Sequence, residues 1–219
     1  NYSSWSLRGW LMARFAGLSF EEDIVPPDDP SARAEILLLS SSILVPSLHH
    51  GDVLVWDTLA IAEYLYETYP AVWPKDAKAR AFARCAAAEM HSGFSTLRNT
   101  CGMSCGHRVK LHQLTPALML DIDRLSELFE QGLRHFGGPF LAGKAFCAAD
   151  AFFAPVAFRM QSYGLPFSKV AINYLQHLLA LPAMQDWYKQ ALAEPWVDQA
   201  HDDEIAAAGQ IIADQRQTS

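Results

Sequence analysis

The spacing of hydrophobic and polar positions divides the chain into two parts with different periods. In the first part, helical spacing over residues 7–15 predicts a helix, and β-favouring side chains ahead of two prolines predict a strand over 18–27. A short helical pattern follows at 31–39. Residues 45–55 then predict a β-hairpin with a tight turn at the glycine, and helical spacing resumes from about Asp57.

Strand signals end at residues 69–74, where two prolines mark a connector. The rest of the chain predicts long helices rich in Ala and Leu, at 77–99, 116–136, 148–163, 168–180 and 182–194. We therefore predict an α/β domain over residues 1–72 and an all-helical domain over 76–205. We also expect a short strand to precede the first helix, although the given sequence starts too late to contain it.

Composition narrows the classes of function. The 219 residues are 51% hydrophobic and carry a net charge of −7, which disfavours nucleic acid as a partner. No apolar run is long enough for a membrane span, so no membrane partner is expected. The sequence shows no signal peptide, and four cysteines are too few for a secreted disulfide scaffold. These features predict a cytoplasmic protein.

The polar segment from Ser3 to Arg8 directly precedes the first helical pattern and holds three hydroxyl groups. Hydroxyls at such a position cap the free N–H groups of the first turn. The same N–H groups and the positive end of the helix dipole favour an anion, so a thiol bound there would shift towards thiolate. The serines alone leave both interpretations open.

Two further segments carry possible binding chemistry. A cis Val45–Pro46 bond would turn the backbone of Val45 outwards to pair with a bound peptide, although an edge-strand proline is the simpler alternative. Asp57 and Thr58 open the next helix with a carboxylate, a hydroxyl and free N–H groups. This pair would suit the α-ammonium and α-carboxylate of an amino acid, or act as an ordinary helix cap.

In this order the segments resemble the glutathione transferase superfamily over nearly the whole chain. Residues 3–8, Ser-Ser-Trp-Ser-Leu-Arg, look most like the zeta class (maleylacetoacetate isomerase-like) and related bacterial serine-type transferases. Residues 56–65 are similar to the glutathione-binding segment, and residues 139–150 to a buried capping motif of the helical domain. The resemblance implies a thioredoxin-like first domain and glutathione as co-substrate.

The resemblance also implies roles for particular residues. The thiol-activating hydroxyl would be Ser3, with Ser4 and Ser6 as alternatives. Glutathione would be held by the peptide segment and the helix start described above, namely Val45, Pro46, Asp57 and Thr58. Asp150 would be structural.

The implied activity is attack of glutathione thiolate on a hydrophobic electrophile, as in detoxification. A cis–trans isomerase of the maleylacetoacetate type and a non-catalytic interaction protein are the alternatives. Members of the superfamily usually pair, so a homodimer is expected through two helices that expose Tyr66, Phe82 and Met90.

On the substrate side we expect Trp5 to cover the pocket. Four cationic or titratable side chains are candidates for binding an anionic second substrate: Arg8, His91, Arg98 and Arg108. The alternative is that they belong to a solvated helix face. No metal site is predicted, since the spacing of Cys101, Cys105, His107 and His112 matches no common zinc motif. Redox sensitivity of Cys101 and Cys105 is a further hypothesis.

Two positions depart from the superfamily pattern. Residues 41–44 stand where the superfamily has a Gly and a basic or amide residue, so an expected contact to the glycyl end of glutathione is either missing or supplied elsewhere. Cys147 stands where the capping motif has Ser or Thr, and it is a poorer acceptor. The loss of such a cap typically costs ~1 kcal/mol.

Overall fold

The structure is a computed structural model that describes residues 1–26 and 44–216. Its elements in chain order are α1 (Ser4–Phe15), β1 (Ser47–His50), β2 (Val53–Trp56), α2 (Thr58–Thr68), a 3₁₀ turn (Pro70–Val72), α3 (Ala77–Ser92), α4 (Ser95–Thr100), β3 (His107–Leu111), α5 (Pro116–Phe136), α6 (Ala148–Tyr163), α7 (Lys169–Leu179), α8 (Pro182–Leu192), α9 (Gln199–Ala208) and β4 (Gly209–Asp214). None of these helices is long and apolar enough to cross a bilayer.

The fold class is confirmed: a small α/β part with a thioredoxin-like arrangement is followed by a helical part. Strands β1 and β2 pair antiparallel, with Ser47 opposite Trp56, around a turn in which Gly51 has a positive φ of 59°. Glycine adopts this left-handed conformation without a steric penalty, which explains the tight hairpin. Helices α5 and α6 have the bounds that the hydrophobic spacing predicts.

One detail of the helical part is corrected, because it contains a two-stranded ribbon. Strand β3 pairs antiparallel with β4, so that Leu111 lies opposite Gly209. A side chain at Gly209 would lie 2.4 Å from the carbonyl oxygen of Lys110, so the two backbones approach closely there. Regular structure therefore continues past residue 205, where the predicted helical domain ends.

Three other sequence predictions differ from the structure or cannot be compared with it. No strand forms in the described part, 18–26, of the predicted strand 18–27. The predicted helix 77–99 is broken at Gly93–Phe94, where Phe94 takes a left-handed conformation with φ 55°. The helical pattern at 31–39 and residues 41–43 of the departing segment lie outside the described residues.

Helix α6 is the centre of the core and is buried along almost its whole length. It packs against α1, α3, α7 and β3. Its apolar side chains pack on all sides, which is why its sequence is hydrophobic all round rather than amphipathic. The helix thereby holds α1, and with it the polar segment at residues 3–8, against the helical part.

The start of α6 is fixed by Asp150, whose side chain is fully buried. Its carboxylate accepts hydrogen bonds from the backbone N–H groups of Leu141 (3.0 Å) and Cys147 (2.9 Å) and from the hydroxyl of Tyr174 (2.9 Å). The bond to Cys147 is the carboxylate half of a capping box. Asp150 therefore has the structural position that the resemblance implies.

The two helices expected to form the dimer contact expose fewer apolar side chains than the sequence indicates. Met90 is fully buried in the core, and Phe82 is partly buried against Phe136, with 5.3 Å between their ring centres. Tyr66 remains half-exposed beneath the guanidinium of Arg84. The expectation of an exposed Met90 is wrong because α5 and α6 cover that face of α3.

Candidate functional site

The polar segment caps α1, as one of the two sequence interpretations predicts. Ser3 is the N-cap: its Oγ accepts a hydrogen bond from the N–H of Ser6 (3.1 Å) and donates one to the Oγ of Ser6 (2.8 Å). The N–H groups of Ser4 and Trp5 have no partner within the helix, since they precede its first hydrogen-bonded turn. The helix start therefore keeps donors for an anion in addition to its own cap.

The peptide segment at Val45–Pro46 lies against this helix. The bond between the two residues is cis, as the sequence analysis proposed. A Cβ added to Gly9 would lie only 2.7 Å from Cγ of Pro46, so the absence of a side chain at Gly9 lets the proline pack onto α1. Val45 is itself exposed.

The start of α2 has strained backbone and an unpaired hydroxyl. Asp57 has φ 71°, a rare value for a residue other than glycine, and strain of this kind concentrates at functional sites. Its Oδ1 accepts from the N–H of Leu59 (2.8 Å), and its Oδ2 lies 3.3 Å from Nε2 of His91. The buried Oγ1 of Thr58 has no hydrogen-bond partner in the described part of the chain. A buried polar group without a partner is uncommon, and a bound molecule is one way of satisfying it.

A cavity of about 470 Å³ opens beside the start of α1. Its walls include Tyr2, Ser4 and Trp5 from the polar segment. Arg98 of α4 and Arg159 of α6 line it as well. Polar groups therefore surround the space next to the serines, whereas a pocket for a purely hydrophobic compound would be mostly apolar.

The indole of Trp5 is surrounded by cationic groups. The guanidinium carbon of Arg8 lies 4.2 Å from the centre of the indole, and that of Arg98 lies 4.8 Å away. His91 meets the same indole edge-on at 5.1 Å. Cation–π contacts of this kind contribute about 0.5–2 kcal/mol each.

These arginines are desolvated and repel one another. Burial lowers the pKa of Arg8 well below its ordinary value, and the charges of Arg159 and Arg98 lower it further, whereas the carboxylate of Asp57 acts in the opposite direction. Burial also lowers the pKa of Arg159, to about 10. Three guanidinium groups thus lie near one another, with the carboxylate of Asp57 close enough to act on Arg8.

The structure brings together most of the residues that the sequence analysis assigned to the substrate side. Trp5, Arg8, His91 and Arg98 form one cluster with the polar segment. Arg108 does not join it: its guanidinium donates to the carbonyl oxygens of Cys105 and His107 and to the hydroxyl of Tyr188.

The cysteines do not fit the redox hypothesis. Cys101 and Cys105 are fully buried, and burial raises the pKa of each thiol to about 12, so neither forms a reactive thiolate. His107 hydrogen-bonds through Nδ1 to the hydroxyl of Ser104 (3.0 Å). No group of three or more metal-ligating side chains lies together within residues 1–26 and 44–216.

Sequence reasoning missed Arg159, Tyr2 and His201 as members of the cavity wall. Arg159 is the one charged residue in the second half of an otherwise apolar helix, and that contrast is a signal the sequence offered. His201 comes from α9, in a region that the sequence pattern left without a role. Its Nε2 lies 2.9 Å from the carbonyl oxygen of Met103.

The comparisons with known proteins agree with this arrangement. Residues 2–68 match the family model "Glutathione S-transferase, N-terminal domain". A glutathione transferase homologue from Burkholderia (strain BGR1), solved with bound glutathione, is similar over 86% of this chain and 92% of its own, with 28% identity and a TM-score of 0.64.

Two more distant structures share the fold. An unclassified glutathione S-transferase from Bombyx mori covers 95% of both chains at 19% identity, with a TM-score of 0.71. A maleylacetoacetate isomerase from Methylobacterium extorquens AM1, solved with malonate and glutathione, covers 88% of this chain and 94% of its own at 19% identity, with a TM-score of 0.65. The resemblance to glutathione transferases, including bacterial transferases and maleylacetoacetate isomerases, is confirmed.

Proposed function

We propose that this protein is a glutathione transferase, which binds glutathione at the starts of α1 and α2 and directs its thiolate at an electrophilic carbon. The observation that carries the proposal is the start of α2, where strained Asp57 precedes the buried hydroxyl of Thr58, which hydrogen-bonds to none of the described residues. Helix α2 packs against α1. His91 links the starts of the two helices, because its Nε2 lies 3.3 Å from Oδ2 of Asp57 and its ring centre lies 5.1 Å from that of Trp5. The bound glutathione of the Burkholderia homologue supports the same reading.

Each part of the site has a proposed role towards glutathione. Asp57 and Thr58 would hold the γ-glutamyl end, whose ammonium and carboxylate need an acceptor and a donor. The backbone of Val45, turned by the cis bond to Pro46, would pair with the cysteinyl unit. Ser3 would donate to the sulfur, with Ser4 and Ser6 as alternative donors.

The proposed serine donor and the start of α1 can together supply the free energy needed to lower the pKa of the bound thiol. A thiol of ordinary pKa ~8.5 must be shifted by about two units, or ~2.7 kcal/mol. A hydrogen bond to a charged acceptor contributes about 1.5–3 kcal/mol, and the helix start about 0.3–1 kcal/mol. No general base is needed, and the serine remains protonated throughout.

A cis–trans isomerase is the second candidate, and the positive cluster around Trp5 favours it. Such an enzyme adds glutathione thiolate to an unsaturated dicarboxylate and later releases it, so it needs cationic groups near the sulfur. A non-catalytic role gains no support, because an interaction protein has no use for a strained Asp57 or for a buried Thr58 hydroxyl that no residue in the described part of the chain hydrogen-bonds.

The remaining features are part of the same proposal. Residues 1–72 would form the glutathione-binding domain, and the helical domain would begin at 76. The four cysteines are free, which suits a reducing compartment such as the cytoplasm. The proposed role there is detoxification.

We also propose a homodimer through α2 and α3, whose contact would include Tyr66 and Phe82. Sedimentation velocity at micromolar concentration is expected to give a mass of two chains. A single species with the mass of one chain would contradict the proposal.

Titration calorimetry with glutathione tests the binding site. The intact protein is expected to bind glutathione, and Thr58→Ala to raise the Kd about tenfold or more, since it removes a hydrogen bond to a charged group. Thr68→Ala is the matched control, because this exposed threonine lies at the other end of the same helix. The absence of binding heat with the intact protein would refute the proposed function. A panel of electrophiles, with maleylacetone among them, then separates transferase from isomerase activity.

A further inference from the structure

Tyr2, the residue before the proposed thiol donor Ser3, is held by side chains from the last part of the described chain. Nη1 of Arg216 donates to the phenolic oxygen of Tyr2 (2.6 Å) and to Oδ2 of Asp202 (2.8 Å). The ring of His201 meets that of Tyr2 edge-on, with 5.1 Å between their centres. Groups from α9 and from the segment after β4 therefore converge on Tyr2, which forms part of the wall of the cavity beside α1.

A second branch of contacts leads from Arg216 to Asn1. Nη2 of Arg216 lies 2.9 Å from Nε2 of His107, and Nδ1 of His107 lies 3.0 Å from the hydroxyl of Ser104. That hydroxyl donates to the carboxamide oxygen of Asn1 at 3.5 Å, and two backbone N–H groups of the same loop donate to it at 2.8 and 3.1 Å. Asn1 is therefore fixed mainly by the loop before β3, whereas Tyr2 depends on Arg216.

The contact with Arg216 defines the protonation state of His107. A guanidinium group can only donate hydrogen bonds, so the Nε2 atom that faces it must accept and carries no proton. Nδ1 then carries the ring proton and donates to the hydroxyl of Ser104. A second proton on His107 would set one N–H group against another and remove the contact with Arg216.

The charged groups that face His107 are Arg216 and Asp214 from the end of the ribbon and Asp202 from α9. Oδ2 of Asp214 lies 3.5 Å from Nε2, and Oδ1 of Asp202 lies 3.8 Å from Nδ1. Helix α6, which also packs against β3, contributes the uncharged Ser162, whose hydroxyl donates to the backbone of the preceding loop. Burial and then Arg216 lower the pKa of His107, although the two carboxylates act in the opposite direction. A released histidine, with its ordinary pKa of about 6.5, takes up a proton more readily, so a fall in pH favours release.

We propose that Arg216 is a positioning residue for the reaction: through Tyr2 it holds the start of the polar segment and the adjoining cavity wall in place, and proton uptake by His107 loosens this hold. The inference rests on the proposed function, in which Ser3 directly follows Tyr2 and donates to the glutathione sulfur. Arg216 touches no reacting atom and acts only through Tyr2. Its effect on the rate is expected to be large, because a displacement of about 1 Å at a reacting group can cost about a hundredfold.

Amide hydrogen exchange of the full chain, followed by mass spectrometry without glutathione, tests the anchor by itself. Arg216→Met is expected to speed exchange within residues 2–10 by about tenfold, since it removes the donor that holds Tyr2. Arg216→Lys should restore part of the protection. Arg124→Gln removes an exposed arginine that is paired with Glu89 outside this network, and it should have no effect. Unchanged exchange in Arg216→Met would overturn the inference.

Tyr2→Phe provides a second variant, which removes only the phenolic oxygen and keeps the ring. It should speed exchange within residues 2–10 even if Arg216→Met does not fold. Where both fold, the double variant should exchange no faster than Arg216→Met alone, because both changes break the same contact. Effects that add in full would show that Arg216 does not act through Tyr2, and they would overturn the inference.

The dependence of exchange on pH tests the role of His107. After correction for the intrinsic rate, exchange within residues 2–10 of the intact protein should rise as the pH falls from about 7 to about 5. His107→Gln can keep an acceptor opposite Arg216 without a titrating proton, and it should abolish that rise. His201→Gln, at the other histidine beside Tyr2, should retain it, because Nε2 of His201 faces the carbonyl oxygen of Met103 and donates in either protonation state. A rise of equal size in His107→Gln would overturn the proton-linked part.

Kinetics with glutathione and 1-chloro-2,4-dinitrobenzene connect the anchor to the reaction. Arg216→Met and Tyr2→Phe should each lower kcat/KM about tenfold, with partial rescue in Arg216→Lys. The Kd for glutathione should stay unchanged, because Val45, Asp57 and Thr58 provide most of the binding. Faster exchange with an unchanged kcat/KM would overturn the positioning role. If the intact protein neither binds nor conjugates glutathione, the proposed function is refuted, whereas faster exchange in Arg216→Met would still establish the anchor.

Discussion

Ser3→Ala is expected to slow glutathione conjugation near neutral pH by about ten- to a hundredfold, at ~1.4 kcal/mol per factor of ten. The variant loses the hydroxyl that would donate to the sulfur, so the pKa of bound glutathione should rise and less thiolate should form. Glutathione affinity should change little, because Val45, Asp57 and Thr58 provide most of the binding. A pH profile of the rate, together with the ultraviolet absorption of the bound thiolate, measures both quantities.

The structure adds a condition to this prediction. In the structure the hydroxyl of Ser3 donates to Ser6, and it must turn to the sulfur when glutathione binds. Rotation of a hydroxyl is inexpensive, and Ser6 then keeps Ser3 as an acceptor for its N–H. Ser4 faces the cavity directly, so Ser4→Ala and Ser6→Ala belong in the same experiment.

A control is needed because Ser3 also caps α1. Loss of an N-cap costs about 0.5–2 kcal/mol of stability whatever the catalytic role. Thr115→Ala removes the equivalent cap of α5, where Oγ1 accepts from the N–H of Leu118 (3.2 Å), and should cost stability without slowing the reaction. If none of the three serine variants changes the pKa of the bound thiol, activation by a serine is wrong.

The sequence predicts the local parts of this fold well. Helices α5 and α6 have the predicted bounds because each begins with a clear start signal. Pro116 is the first residue of α5, and Asp150 lies in the first turn of α6. The unusual place of a proline at the entrance to the hairpin predicts the cis bond at Val45–Pro46, with an ordinary edge-strand proline as the alternative.

Contacts that join distant residues are less accessible to sequence reasoning. The ribbon pairs β3 with β4 across about a hundred residues, and neither strand has a nearby partner to reveal it. Residues 107–111 alternate only weakly between polar and apolar side chains, so the five-residue strand is not distinguishable from a loop by its sequence.

The candidate site shows the same limit. The sequence identifies Ser3, Asp57 and Thr58 because they stand at helix starts, where local rules apply. Arg159 lies in the middle of a helix and enters the site only because α6 packs against α1. No spacing rule connects Arg159 with Trp5, so only the tertiary structure reveals the positive wall of the cavity.

Asp150→Ala is expected to destabilise the protein by at least ~3 kcal/mol, the largest effect on stability that the structure predicts. The change leaves two backbone N–H groups and the hydroxyl of Tyr174 buried without an acceptor, and each such group costs about 1–3 kcal/mol. Burial raises the pKa of Asp150, whereas its three donors act in the opposite direction. These donors therefore compensate for placing a carboxyl group in the core.

Urea unfolding followed by circular dichroism measures the effect, with two variants for comparison. Tyr174→Phe removes one of the three donors and should cost far less, about 0.5–1.5 kcal/mol. Asp123→Ala, at an exposed aspartate of α5, should be close to neutral. Because α6 holds α1 in place, any folded Asp150→Ala protein should also bind glutathione more weakly. A variant that keeps full stability would show that the buried carboxylate is not what fixes the start of α6.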